Sequence, residues 1–251
     1  VPTPEALEVL ADVTVVVNNA GVISAVLPAD SPAADEAVRR AKTVVRLGQY
    51  ERLMPGLIDT HVHAPQWPQL GTGLDLPLEK WLFDYTFPLE AKYADAAFAQ
   101  SVWSHMVPTF LRHGTTTSVY YAAVDTHSTT LLAQTCVEHG QRAYVGRVAM
   151  DHPEGTPEWY RDATAQQGIE ASQRSIEEIH ALAGNTGLVS PIVTPRFIPA
   201  CSDELLAGLG ELASRTNTLV QTHCSESHWE HGYVLERYGR TDTEMLKYFG
   251  L

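Results

Sequence analysis

Met54-Pro55-Gly56-Leu57-Ile58-Asp59-Thr60-His61-Val62-His63 is an apolar run that ends in two imidazoles one residue apart. In an extended strand residues i and i+2 face the same side, so His61 and His63 aim at one point. Two neutral imidazoles on one face are the start of a metal site, because a zinc-type ion takes such nitrogens at about 2.0–2.1 Å. Alone, the pair reads more readily as two polar residues on a solvent face. The remainder of the chain has to decide.

Outward from this run, apolar strand-like stretches alternate with helical patterns. Leu53 to His61 reads as a first strand. Asp95 then caps a helix carrying Phe98, Val102, Met106 and Phe110, with a kink expected at Pro108 and an end near Gly114. Thr115 to Tyr120 is the second strand, and a helix around Leu131 to Val137 ends at His139-Gly140. Arg142 to Met150 is the third strand. Helical spacing through Ile169, Ile176 and Ile179 runs to Gly184, followed by a fourth strand from Leu188 to Thr194. Ser202 opens another helix, and Thr218 to His223 is the fifth strand. Five apolar strands separated by helices predict parallel βα units, an α/β fold.

The polar residues of interest fall at or just after strand C-termini: His61 and His63, then Arg196 and Phe197, then His223 and Glu226. A (β/α)₈ barrel builds its active site there, and a doubly wound sheet also binds at that edge. No Gly-x-Gly-x-x-Gly follows a strand, which favours the barrel. Upstream, Thr14 to Val17 and Val22 to Val26 flank Asn18-Asn19-Ala20-Gly21, a hairpin pattern. Pro28 to Ala41 reads as a loop with one short helix. Residues 1–53 are expected to form part of a small β-sandwich domain, and residues 54–251 the N-terminal portion of the barrel.

Composition narrows the function. A formal net charge of -13 argues against a polyanion or an anionic membrane surface as the main partner. Cys136, Cys201 and Cys224 are few, odd in number and widely spaced, which fits a reducing, cytoplasmic setting. There is neither a run of about eighteen apolar residues nor a signal-peptide pattern at the start.

His223-Cys224-Ser225-Glu226 adds a third imidazole at a strand end and a carboxylate three residues on. A zinc ion with an open position brings a bound water near neutral pKa, and a carboxylate is then needed to move protons. Separately, His223 reads as a core histidine and Glu226 as a first-turn acid of the next helix. Together with His61 and His63 in one layer, they read as a metal hydrolase site.

The run Pro55 to His63 resembles the metal-binding first strand of the amidohydrolase superfamily. Within it the chain is similar to the guanine deaminase family through His61-Val62-His63-Ala64-Pro65-Gln66, Leu74-Asp75-Leu76-Pro77-Leu78, Trp81-Leu82 and Tyr85-Thr86-Phe87-Pro88. His113-Gly114-Thr115-Thr116-Thr117, Pro191 to Phe197 and His223 to Glu226 extend the match. The resemblance implies a (β/α)₈ barrel beside a small β-sandwich, one Zn²⁺ held by His61, His63 and His223, and Glu226 as proton shuttle. It also implies Gln66, Arg196 and Phe197 as substrate contacts, a homodimer, and hydrolysis of guanine to xanthine and ammonia in purine catabolism. The residue chemistry agrees: a guanidinium fork suits purine acceptors, an amide both donates and accepts, and a phenyl ring lies against a flat base. Each also has an ordinary role, in a surface ion pair, a solvated amide or a packed core.

Trp67 is as well suited to packing as to walling a pocket, and Trp81, Phe83, Tyr85 and Phe87 suit core or subunit contacts. The other eight histidines are assigned no role. The superfamily's sixth-strand imidazole and eighth-strand aspartate are absent from the sequence. From His61 to His223 four βα steps take 162 positions, so three more units would need on the order of 120 residues. Only 25 follow Glu226, helical in pattern with Val234, Leu235 and Tyr238 on one side. The expectation is an incomplete barrel, a fragment whose isolated activity and stability are in doubt. Alternatives are a deaminase of the same superfamily acting on a pterin, triazine or modified purine, a non-catalytic scaffold of this fold, and a purine-binding module without turnover.

Overall fold

The computed structural model describes Ala6 and residues 8–251; residues 1–5 and Leu7, part of the expected N-terminal domain, lie outside the described residues. Contacts divide the chain into Val1–Pro55 and Gly56–Leu251. In the first unit β1 (Val13–Val17) and β2 (Ile23–Pro28) pair antiparallel. Asn18 builds their turn, its side chain accepting from the Ala20 and Val22 amides, with Gly21 at φ +76°. Helix α1 (Pro32–Arg40) starts at Ser31, whose hydroxyl accepts from the Ala34 amide, with Pro at the first helical position.

The second unit begins with β3 (Leu57–His63), shifted from the expected Leu53 to His61 so that both imidazoles lie inside the strand. Residues 64–94, which carry no strand or helix pattern, form a chain of short helical turns including α2 (Leu78–Trp81) and α3 (Phe87–Glu90). Then α4 (Ala96–Arg112), β4 (Thr115–Tyr121), α5 (Thr126–His139) and β5 (Arg142–Gly146) follow in order. Next come β6 (Val148–Ala149), α6 (Ala165–His180), β7 (Val189–Pro191), β8 (Thr194–Pro195) and α7 (Asp203–Thr216). Helices α8 (His228–Tyr238) and α9 (Asp242–Tyr248) close the chain. Asp95 caps α4 as read from sequence, Gly140 ends α5 in the left-handed region, and α4 continues through Pro108.

The sheet is parallel with order β3-β4-β5-β7, extended by the parallel pair β6-β8. This is α/β architecture, an arc of a (β/α)₈-type barrel. Period-two alternation divides its sides: Tyr120 packs with Trp103, Met106 and Leu132 of the helical layer, while Tyr121 packs with Phe87, Val148 and Phe197 on the other side. A separate cluster of Leu205, Leu206, Leu209, Val234 and Met245 joins α7 to α8 and α9. Leu235, expected beside Val234, is exposed instead.

Two expected strands are broken. Arg142 to Met150 splits at Arg147, and Leu188 to Thr194 splits at Ile192 and Val193, so one bend crosses both neighbours. Gly146 permits it, since a Cβ there would lie 1.8 Å from Thr194 Oγ1 and 2.7 Å from the Ile192 carbonyl oxygen. The fifth strand reduces to a single parallel bridge, Val193 to Val220. Its partner continues into Pro195, which has no N–H for a ladder, and the Arg196 N–H goes to Ala149 O at 3.1 Å.

Arg147 anchors the bend. Its guanidinium pairs with both oxygens of Asp162 and its Nε donates to Val124 O at 2.8 Å, while Asp162 Oδ2 also accepts from the Met150 amide at 3.2 Å. Both side chains are buried. Removing one partner strands the other charge without water, so Asp162→Ala should lose about 3–5 kcal/mol of stability in urea unfolding; a loss below about 1 kcal/mol would show the pair to be dispensable.

Candidate functional site

His61 and His63 leave the end of β3 on one face, and the turn that follows, Ala64–Gln69, carries Gln66. Arg196 and Phe197 directly follow β8, and His223 follows the Val220 bridge. Parallel pairing therefore puts three separate strand ends at one edge. The ligand atoms of His61, His63 and His223 lie within 4.8 Å of one another, the one such histidine, cysteine and carboxylate group among the described residues.

Two contacts fix the state of these rings. His223 Nδ1 lies 2.6 Å from the Arg196 carbonyl oxygen, an acceptor only, so Nδ1 carries the proton and Nε2 a lone pair. That Nε2 faces His63 Nε2 at 2.8 Å, while buried His63 Nδ1 has no partner. Burial first, then Arg196 and the neighbouring imidazoles, holds His63 well below the usual histidine pKa. Burial pushes His223 down to about 4, against the opposing hydrogen bond to Arg196 O. Both are neutral at pH 7, and with Nδ1 of His223 protonated the 2.8 Å contact has His63 Nε2 donating to His223 Nε2; moving that one proton to the unpartnered His63 Nδ1 turns both Nε2 atoms into lone pairs aimed at one point. A divalent metal satisfies that arrangement, and the carbonyl behind His223 is the outer support such a ligand requires. Tyr121 backs all three rings, with centroids 4.9 Å from His61, 4.5 Å from His63 and 4.7 Å from His223.

Beside the imidazoles lies a pocket lined by Gln66, Trp81, Leu82, Arg196, Phe197 and Glu226. A larger groove of about 770 Å³ runs past Trp159, Arg161 and Arg174 and reaches Glu90, but none of the imidazoles lines it. Arg196 is not in a surface ion pair. Its Nη1 is 2.5 Å and its Nη2 3.2 Å from the oxygens of fully buried Glu90, and its guanidinium lies 4.9 Å from the Phe87 ring centroid. Burial opposes the guanidinium's charge, yet Glu90 outweighs it and holds the pKa above the ordinary value. Glu90 also accepts from Gln66 Nε2 at 2.9 Å. Phe197 is buried edge-on to His223, and Trp67 packs into the helical-side core rather than the pocket. Trp81 is half-buried and Phe87 buried, whereas Phe83 and Tyr85 are exposed.

Glu226 is exposed at the pocket edge and follows Ser225 at φ +53°. That turn is held from below: Asp242 accepts from the Ser225 amide at 3.2 Å and its hydroxyl at 2.9 Å, and Glu230 accepts from the Glu226 amide at 2.7 Å. Sequence reading missed Glu90, Tyr121, Glu230 and Asp242. The similar motif quoted through Pro88 stops two residues short of Glu90. Ser227-x-x-Glu230 has capping-box spacing; Ser227 does cap α8, yet the Glu230 carboxylate reaches one residue further back, to Glu226.

Residues 52–250 match the amidohydrolase family. The chain is 43% identical over 219 residues to the guanine deaminase of Dictyostelium discoideum, covering 86% of this chain and 47% of that relative. It thus spans about half the length of that protein. A guanine deaminase from C. acetobutylicum, solved with guanine bound in its active site, superposes with TM-score 0.88 at 29% identity, covering 100% of this chain and 57% of that one. An adenosine deaminase from Xanthomonas campestris with bound zinc superposes with TM-score 0.79 at 28% identity over 96% of this chain and 51% of its own.

Glu230 has a measurable signature. Burial, against the opposing Glu226 N–H and aided by Asp242, raises its carboxyl to about 7 from 4.5. Between those values the unfolded chain releases a proton that the folded one keeps, so stability falls as pH rises. Glu230→Gln cannot titrate. Its stability relative to the native protein should improve by about 2–3 kcal/mol between pH 5 and pH 8 in urea midpoints; parallel pH profiles would contradict this.

Proposed function

Because the chain belongs to the amidohydrolase family, we propose that the whole protein is a guanine deaminase, a zinc-dependent hydrolase turning guanine and water into xanthine and ammonia. The observation that carries the reading is the convergence of three imidazoles on one point beside a pocket with a locked guanidinium, an amide and a carboxylate. Similarity to a chain solved with guanine in its active site supports the substrate. The three cysteines are free, as a cytoplasmic setting keeps them. Among the described residues no helix is long and apolar enough to cross a membrane. A homodimer belongs to the same reading, from the family resemblance.

A zinc ion held by His61, His63 and His223 supplies a Lewis acid that makes water nucleophilic near neutral pH. The chain's own residues do the rest. Arg196 and Gln66 fix the base in register, Phe197 and Leu82 wall it from water, and Glu226 carries a proton from the attacking water toward a ring nitrogen and the departing amine. Glu226 is three residues from His223 on a turn fixed by Asp242 and Glu230, which suits a group that must reach both water and substrate.

In the full-length protein, Glu226→Gln should lower kcat for ammonia release from guanine by about 10²–10⁴ while leaving KM within a few-fold. Chelation should abolish turnover and added Zn²⁺ restore it, and His223→Ala should lose bound zinc by elemental analysis. Brisk turnover of a pterin or triazine with none of guanine would refute the substrate assignment.

A further inference from the structure

Glu90 has no hydrogen bond to the imidazole cluster or Glu226, yet both the guanidinium and the amide that line the pocket are tied to it. Its carboxylate, fully buried, takes Arg196 Nη1 and Nη2 and Gln66 Nε2 on its two oxygens. A carboxylate only accepts, so the Gln66 amide has one orientation: its NH₂ faces Glu90 and its Oε1 is left as an acceptor for the pocket. Arg196 gives Glu90 two of its five N–H groups, and its side chain has no other protein acceptor among the described residues. Arg196, with its remaining donors, and Gln66 line the same pocket. Phe87, the face on which the guanidinium rests, is itself buried one helical turn from Glu90.

We infer that Glu90 is a specificity-positioning residue: by holding Arg196 and Gln66 in one fixed pair of orientations, it makes the pocket read a ring N–H next to a carbonyl oxygen. Resting on the guanine reading, this deepens it, because guanine carries that lactam edge at N1 and O6, and 2-aminopurine has neither group. Glu90 acts through Arg196 and Gln66 and contacts no reacting atom. Its loss should fall on binding and discrimination rather than on metal content or proton transfer.

The test uses the full-length zinc-loaded protein. Glu90→Gln keeps the size but puts a donor where an acceptor stood: an NH₂ at the Oε2 position costs the Arg196 Nη1 contact, and one at Oε1 costs both the Nη2 and the Gln66 contacts and leaves Gln66 free to turn. Guanine KM should rise about tenfold or more with kcat changed less than about threefold. The preference for guanine over 2-aminopurine in kcat/KM should shrink by a similar factor, with zinc content unchanged. Glu90→Asp, which keeps the charge one methylene shorter, should show a smaller loss of the same kind and serves if the glutamine variant fails to fold. An unchanged KM and unchanged preference in either folded, zinc-loaded variant would overturn the inference. Should the native protein turn over a different heterocycle and not guanine, the proposed function fails while the role of Glu90 is read from the KM for that ring. A double-mutant cycle between Glu90 and Gln66 in urea unfolding reads their coupling without any turnover, and a coupling of zero would also overturn it.

Discussion

The peptide at Arg196 joins both halves of this site. Its carbonyl oxygen takes His223 Nδ1 at 2.6 Å, which fixes the tautomer that leaves Nε2 free for a metal. Its side chain, two bonds away in the same residue, is buried against Glu90 and Phe87. Metal cluster and substrate floor are thus set by one backbone position at the end of β8. Displacing that strand end would misplace both at once.

The bend in the sheet follows from this demand. Pro195 has no N–H to continue the pairing toward Val220, while the Arg196 amide on the other side completes the parallel β6–β8 ladder at Ala149 O. The same bend breaks β5 from β6, with Gly146 leaving room for Thr194 and Arg147 held by Asp162 behind it. Two buried ion pairs, Arg147 with Asp162 and Arg196 with Glu90, flank one groove, which Glu90, Arg147 and Asp162 all line. Buried pairs of this kind contribute little net stability over an apolar replacement, yet cost several kcal/mol when halved. Here they fix geometry where hydrophobic packing alone would leave orientation loose.

A third buried polar group sits under Glu226. Asp242 and Glu230, both fully buried, hold the Ser225 turn through three hydrogen bonds, and the proximity of the two carboxyls helps keep Glu230 protonated near neutrality. The exposed carboxylate thereby rides on a rigid base, while its own charge stays in contact with water. Rigid support beneath a solvent-reachable acid suits proton transfer, which needs a fixed reach and a ready exchange partner.

The sequence by itself determined the α/β class, the order of strands and helices, and the residues His61, His63, His223, Arg196, Gln66 and Glu226 as one neighbourhood. The class and order follow from local rules, apolar periodicity and caps such as Asp95 and Ser202, and the histidines and Glu226 from polar residues at strand C-termini, whereas the substrate-contact roles of Arg196 and Gln66 came from the family resemblance. Strand limits were less legible, because Gly146 and Pro195 alter the ladder through contacts with neighbouring strands rather than with their own. Only the tertiary structure decided that Glu90, 106 positions from Arg196, is its counter-ion, that Tyr121 backs the imidazoles, and that Glu230 reaches past its helix cap. Long-range pairing of buried charges leaves no periodic trace along a chain. It exists only once folding has removed the water that would otherwise satisfy each group separately.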